Sequence, residues 1–115
     1  MVVCASEEYL ARNGEPRRPT DLAAHNCLGV AFWKKGNEWR FDGSGEAVPV
    51  HGTLQANNGE ALRMAARNGL GIILQPEVLV AEDVATGRLV PILRDQLAAT
   101  ITLRNVAGIE VLSLR

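Results

Sequence analysis

Residues 57–83 read NNGEALRMAARNGLGIILQPEVLVAED, and this run restricts the fold more than any other part of the chain. Asn57 or Asn58 can cap a helix, Glu60 suits its first turn, and Leu62, Ala65 and Ala66 fall on one face. Asn68-Gly69 ends that helix, because glycine accepts a left-handed backbone without steric cost. Leu70 to Leu74 is a short apolar run of strand length, expected to be covered on both faces. Pro76 suits the first position of a second helix, where its missing N–H costs nothing. That helix carries Val78, Leu79, Val80 and Val84 and stops at Thr86-Gly87. A helix, a buried strand and a second helix in so short a span require a sheet with helices packed on its faces.

The flanking sequence extends the pattern. Met1 to Ala5 is apolar and β-prone. Ser6 with Glu7 and Glu8 starts a helix that runs to about Arg12 and closes at Asn13-Gly14. A proline-bracketed stretch, EPRRP, leads to Thr20, which is expected to cap a short second helix. Cys27 to Phe32 reads as a strand. Glu38 to Phe41 and Val48 to Leu54 read as a hairpin around the Asp42-Gly43-Ser44-Gly45 turn. Leu89 to Leu93 reads as a strand that Pro91 confines to a sheet edge. The order β, α, α, β, hairpin, α, β, α, β predicts an α/β fold with a mixed, mainly parallel sheet flanked by helices. After Gln96 the helix signals stop and the chain becomes β-like.

With 115 residues the chain has room for one small domain. Hydrophobic residues at 47% and charged residues at 22% fit a globular protein rather than a disordered one. A net charge of −1 argues against gripping nucleic acid by bulk charge, and Arg17-Arg18 and Lys34-Lys35 read as solvated loop residues. No apolar stretch approaches the roughly 18 residues of a membrane span, and no signal peptide is visible. Cys4 and Cys27 lack CxxC spacing and sit in apolar settings, as expected of reduced, buried thiols in a cytoplasmic protein. A disulfide between them has no support in the sequence. His25, Cys27 and His51 match no zinc spacing. A Cys27–His25 catalytic pair has no third orienting group, so neither metal nor catalysis is expected, and no cofactor is called for.

Three segments resemble a known family: CASEEYLARNGEPRRPTDLAAHNCL (Cys4–Leu28), LQANNGEALRMAARNGLGIILQPEVLVAED (Leu54–Asp83) and GRLVPIL (Gly87–Leu93). In order and spacing they are similar to the effector-binding region of LysR-type transcriptional regulators, and more narrowly to the second of its two lobes. The resemblance implies a periplasmic-binding-protein-like type II fold in which two α/β lobes, joined by crossover strands, hold a small molecule between them. It further implies residues 1–95 as that lobe and 96–115 as an atypical tail of uncertain structure. In the family DNA is bound by a separate winged helix-turn-helix domain, expected to be absent from this chain together with the first lobe. Full-length members form dimers or tetramers, and no membrane partner is implied.

By the same resemblance, ligand contacts from this lobe come from two segments: Phe32, Trp33 and Lys34 after the strand that follows DLAAHNCL, and Asn57, Asn58 and Gly59 at the start of the long helix. Physical chemistry agrees. Helix N-terminal amides suit a carboxylate, and aromatic side chains beside a strand end can wall the apolar part of an aromatic acid. Each residue also has a plainer role. Asn57 and Asn58 cap the helix, and Trp33 packs against the hairpin bearing Trp39. The expected function is a small-molecule sensing lobe; the alternative is a self-associating fragment with no binding of its own.

Overall fold

The computed structural model describes residues 1–30, 37–41, 46–94, 101–105 and 110–114. The elements are β1 (Val2–Ala5), α1 (Glu7–Asn13), a 3-10 helix (Pro19–Ala24), β2 (Gly29–Val30), β3 (Asn37–Phe41) and β4 (Glu46–Val50). They continue with β5 (Gln55–Ala56), α2 (Gly59–Arg67), β6 (Ile73–Gln75), α3 (Glu77–Ala85), β7 (Val90–Pro91), β8 (Ile101–Asn105) and β9 (Glu110–Leu114).

Strand direction follows from connectivity. β6 and β7 both pair antiparallel with β1, so they run parallel to each other with β1 between them. α3 joins them, as a parallel pair requires. β2 pairs parallel with β5, and a parallel bridge between Cys27 and Ile72 links that pair to β6. Leu28 N donates to Ile72 O and Ile72 N to Asn26 O, both at 2.8 Å. The resulting order is β5-β2-β6-β1-β7, with β1 alone running against the other four strands. This is the mixed, mainly parallel sheet expected. Pro91 falls on the edge strand β7, where its missing N–H interrupts no ladder.

Local starts and stops mostly follow the capping residues. Ser6 Oγ accepts from Tyr9 N at 3.0 Å, and Gly14 ends α1 at φ 84°. Ser6→Ala should therefore lower stability by about 1 kcal/mol, measurable by urea denaturation. The short helix differs from expectation. It begins at Pro19, whose fixed φ suits a first helical position, and Thr20 does not cap it. The Asp21 carboxylate instead accepts from the N–H groups of Arg17 and Arg18, each at 3.0 Å, and those two bonds hold its pKa below the ordinary value.

The strand read over Val48 to Leu54 stops early, and a separate strand begins after it at Gln55. β4 ends at Val50 and pairs with β3, whereas β5 belongs with β2. Gly52 makes the switch possible. A Cβ there would overlap Cys27 O and Asn26 Oδ1, so only glycine lets the chain pass this close to the start of β2. Cys27 N donates to His51 O at 3.1 Å and Thr53 N to Asn26 Oδ1 at 2.7 Å, which fixes the crossing. β3 pairs with β8 on its other side, and β8 with β9, giving an antiparallel sheet β4-β3-β8-β9. The β-like stretch after Gln96 thus contributes two strands.

The sheet separates two cores. Val3, Ala5, Ile72 and Leu74 face Tyr9, Leu22, Trp39, Phe41, Val48 and Val50. Cys4 and Ile73, one residue out of phase, face Leu62, Ala66, Val80 and Leu89. This is the two-residue alternation of a strand buried on both sides. Leu62 and Ala66 form the buried stripe of α2 as its spacing predicts. Val78, read as part of the apolar set of α3, is 87% exposed because it points away from the face that buries Val80. Among the described residues no helix is long and apolar enough to cross a membrane.

Candidate ligand-binding edge

β5 and β6 point the same way, so the helices that follow them, α2 and α3, start at one edge of the sheet. Asn58 caps α2, its Oδ1 accepting from Glu60 N at 2.8 Å, while Leu62 N reaches Asn58 O at 3.3 Å. The N–H groups of Gly59 and Ala61, also in the first turn, have no intrahelical acceptor within reach. Asn57 and Asn58 are exposed and Gly59 is half-buried. Capping and ligand contact are therefore compatible: Asn58 caps with its side chain, and the exposed Asn57 is free of that task. Phe32, Trp33 and Lys34 lie outside the described residues. The chain leaves β2 at Val30, level with Ala56 of β5.

One residue missed in the sequence belongs to this edge. Gln75 ends β6, is 9% exposed, and lies against the start of α2: a Cβ on Gly59 would meet Gln75 Oε1 at 2.8 Å and Leu79 Cδ2 at 3.0 Å. Its sequence signal is slight, a polar residue between the apolar run GIIL and Pro76. Gly59 is thus more than a helix starter, because its bare Cα makes room for a side-chain carboxamide beside the helix terminus.

The charges around α2 also escaped sequence reading. Glu60 is held by Arg63 in a two-point ion pair, with Arg63 Nε to Oε1 at 3.0 Å and Nη2 to Oε2 at 2.5 Å, and that contact lowers the Glu60 pKa. Arg63 Nη1 also donates to Asp83 Oδ2 at 2.6 Å, Arg88 Nε reaches Asp83 Oδ1 at 3.0 Å and Arg67 Nε lies 3.5 Å from it. Burial alone would raise the Asp83 pKa, but the arginines win and hold it below the ordinary carboxylate value. This cluster ties α2, α3 and the turn before β7 together behind the edge. Arg63 and Arg67 are four apart, one helical turn, which is the only sequence signal for it.

The residues weighed for catalysis are not brought together. His25 Nδ1 lies 2.7 Å from the Tyr9 hydroxyl, which also accepts from Asn26 N at 3.2 Å, whereas the Cys27 thiol donates to Leu22 O. Cys4 and Cys27 are free and buried, and burial pushes both thiols up to about 12, far from a reactive thiolate. Among the described residues no three His, Cys, Asp or Glu side chains are grouped to hold a metal. A groove of about 340 Å³ between α3, β1 and β7, lined by Met1, Val2, Val80, Val84 and Pro91 among others, shares no lining residue with the Asn57–Gly59 turn.

The model of the LysR substrate binding domain matches residues 1–105. The chain belongs to this family. The regulator CrgA of Neisseria meningitidis serogroup B is 38% identical over 95 residues, which are 82% of this chain and 32% of CrgA. DmlR of Escherichia coli, also named an HTH-type transcriptional regulator, is 34% identical over 99 residues. The structure of CrgA superposes with a TM-score of 0.77 at 36% identity, covering 87% of this chain and 34% of that one. The regulatory domain of AphB in Vibrio vulnificus gives 0.68 at 34% identity, covering 82% of this chain and 47% of that domain. The fold is accordingly the periplasmic-binding-protein-like α/β fold of LysR regulatory domains. The chain spans about a third of the length of the curated relatives it matches, and those relatives are named as transcriptional regulators rather than enzymes.

Proposed function

We propose that this LysR-family chain is the second lobe of an effector-sensing region and supplies one wall of a cleft for a small carboxylate or aromatic acid. The observation that carries this reading is the shared edge on which α2 and α3 begin, with Asn57 and Asn58 exposed there and first-turn amides of α2 left without intrahelical acceptors. Phe32, Trp33 and Lys34 are proposed to complete the wall. Signalling follows from differential affinity: a ligand that contacts both lobes favours their closed arrangement over the open one. Residues 1–95 would form the sensing lobe proper, in a cytoplasmic regulator that self-associates and meets DNA through a separate domain.

A single lobe offers half of the contacts. Calorimetric titration of the monomer with small carboxylates and aromatic acids should accordingly give no binding in the micromolar range. A micromolar dissociation constant for the monomer would refute the half-cleft reading.

A further inference from the structure

We propose that Gln75 is the specificity-determining group of this edge and that, with the first turn of α2, it selects a carboxylate over a neutral amide. The inference rests on the lobe reading above and adds to it the residue and the chemistry of selection. Three observations converge. Gln75 is 9% exposed, and among the described residues its carboxamide has no hydrogen-bond partner, a costly state for a buried polar group. Its end lies at the start of α2, where the absence of a side chain on Gly59 leaves room for it. The helix there keeps its positive character: Asn58 has used the Glu60 amide, Arg63 draws off the Glu60 charge, and the Gly59 and Ala61 N–H groups are left for an acceptor.

The backbone offers donors from one direction; the Gln75 carboxamide, whose Oε1 is the atom against Gly59, carries its Nε2 donor on the opposite branch and would turn it to a bound acceptor. A carboxylate carries two acceptor oxygens and a full negative charge, so it can take donors from both. A neutral amide brings a single acceptor oxygen and a donor of its own that faces other donors. The neighbouring α3 is a poorer anion site, since Glu77 occupies its first turn with no ion-pair partner among the described residues.

The test is an NMR titration of the 15N-labelled chain with sodium acetate, against sodium chloride at equal ionic strength and against acetamide. Acetate should produce saturable shifts at the Gly59 and Ala61 amides and the Gln75 side-chain NH2, with millimolar affinity, and acetamide roughly tenfold weaker ones. Gln75→Met, close in volume, should weaken acetate roughly tenfold while leaving the rest of the spectrum in place, and Gln75→Leu serves if the first variant fails to fold. Equal shifts with acetate, acetamide and chloride, or acetate binding indifferent to both substitutions, would overturn the inference. So would acetate shifts that map elsewhere on the same edge, an outcome that leaves the lobe reading standing.

Discussion

Asp83→Ala is expected to destabilise the protein by about 3 kcal/mol and to lower its melting temperature by roughly 10–20 °C. The Asp83 side chain is 1% exposed, and it meets Arg63 from α2, Arg67 from the same helix and Arg88 from the turn before β7. Removing the carboxylate leaves three guanidinium groups crowded together, with Glu60 on Arg63 as the remaining counter-charge described among them. Because the arginines are between 18% and 42% exposed, water relieves part of that repulsion, which keeps the cost at the lower end for a broken buried pair. The folded pKa of Asp83 lies below its unfolded value near 3.8. Its contribution is therefore complete above the unfolded pKa and lost as pH falls through the folded one. Urea denaturation between pH 3 and pH 7 should show Asp83→Asn flattening the acid limb relative to the parent. An unchanged limb would mean that the cluster contributes nothing to acid stability.

Gly71→Ala should cost about 3 kcal/mol by overpacking, although it adds one methyl group. Gly71 stands just before the bridge that joins β2 to β6. A Cβ there would overlap Asn26 O, the acceptor for Ile72 N, and would meet Leu28 Cδ2 at 3.0 Å. Backbone cannot yield as a flexible side-chain end can, so the two strands must separate. Hydrogen exchange gives the sharper readout: protection of the Leu28 and Ile72 amides should collapse in the variant, while that of the α3 amides changes only with global stability. Full protection at Leu28 and Ile72 would show that the bridge tolerates the methyl group.

Much of the scaffold was legible because its signals are local. Ser6, Asn58, Gly14, Gly69 and Gly87 act within a turn of their own position, through caps or left-handed backbone, and the helices begin and end beside them. The exception at Thr20 is also local: Pro19 starts the helix one residue earlier, which puts Thr20 inside it, and the Asp21 carboxylate takes the Arg17 and Arg18 N–H groups. That the strand stops at Val50 and the chain crosses to another sheet by Gln55 was not legible, since β-propensity says nothing of which sheet a residue joins. That depends on Gly52 meeting Asn26 and Cys27, about 25 residues earlier in the chain.

At the candidate site the division is similar. Asn57, Asn58 and Gly59 could be named from their place before an amphipathic helix. Gln75 could not, because what matters is its contact with Gly59, 16 residues away, and that contact exists only once β6 is set beside the start of α2. The Asp83 cluster likewise joins residues 20 positions apart.

The sequence by itself determined the α/β class, the family and the extent of most elements, because capping, periodicity and glycine conformation are properties of neighbours along the chain. Only the tertiary structure decided that β1 runs against the four strands around it, that two helix starts share one edge, and that a buried carboxamide lies at one of them. Those are relations between segments brought together by burial, and no short stretch of sequence contains them.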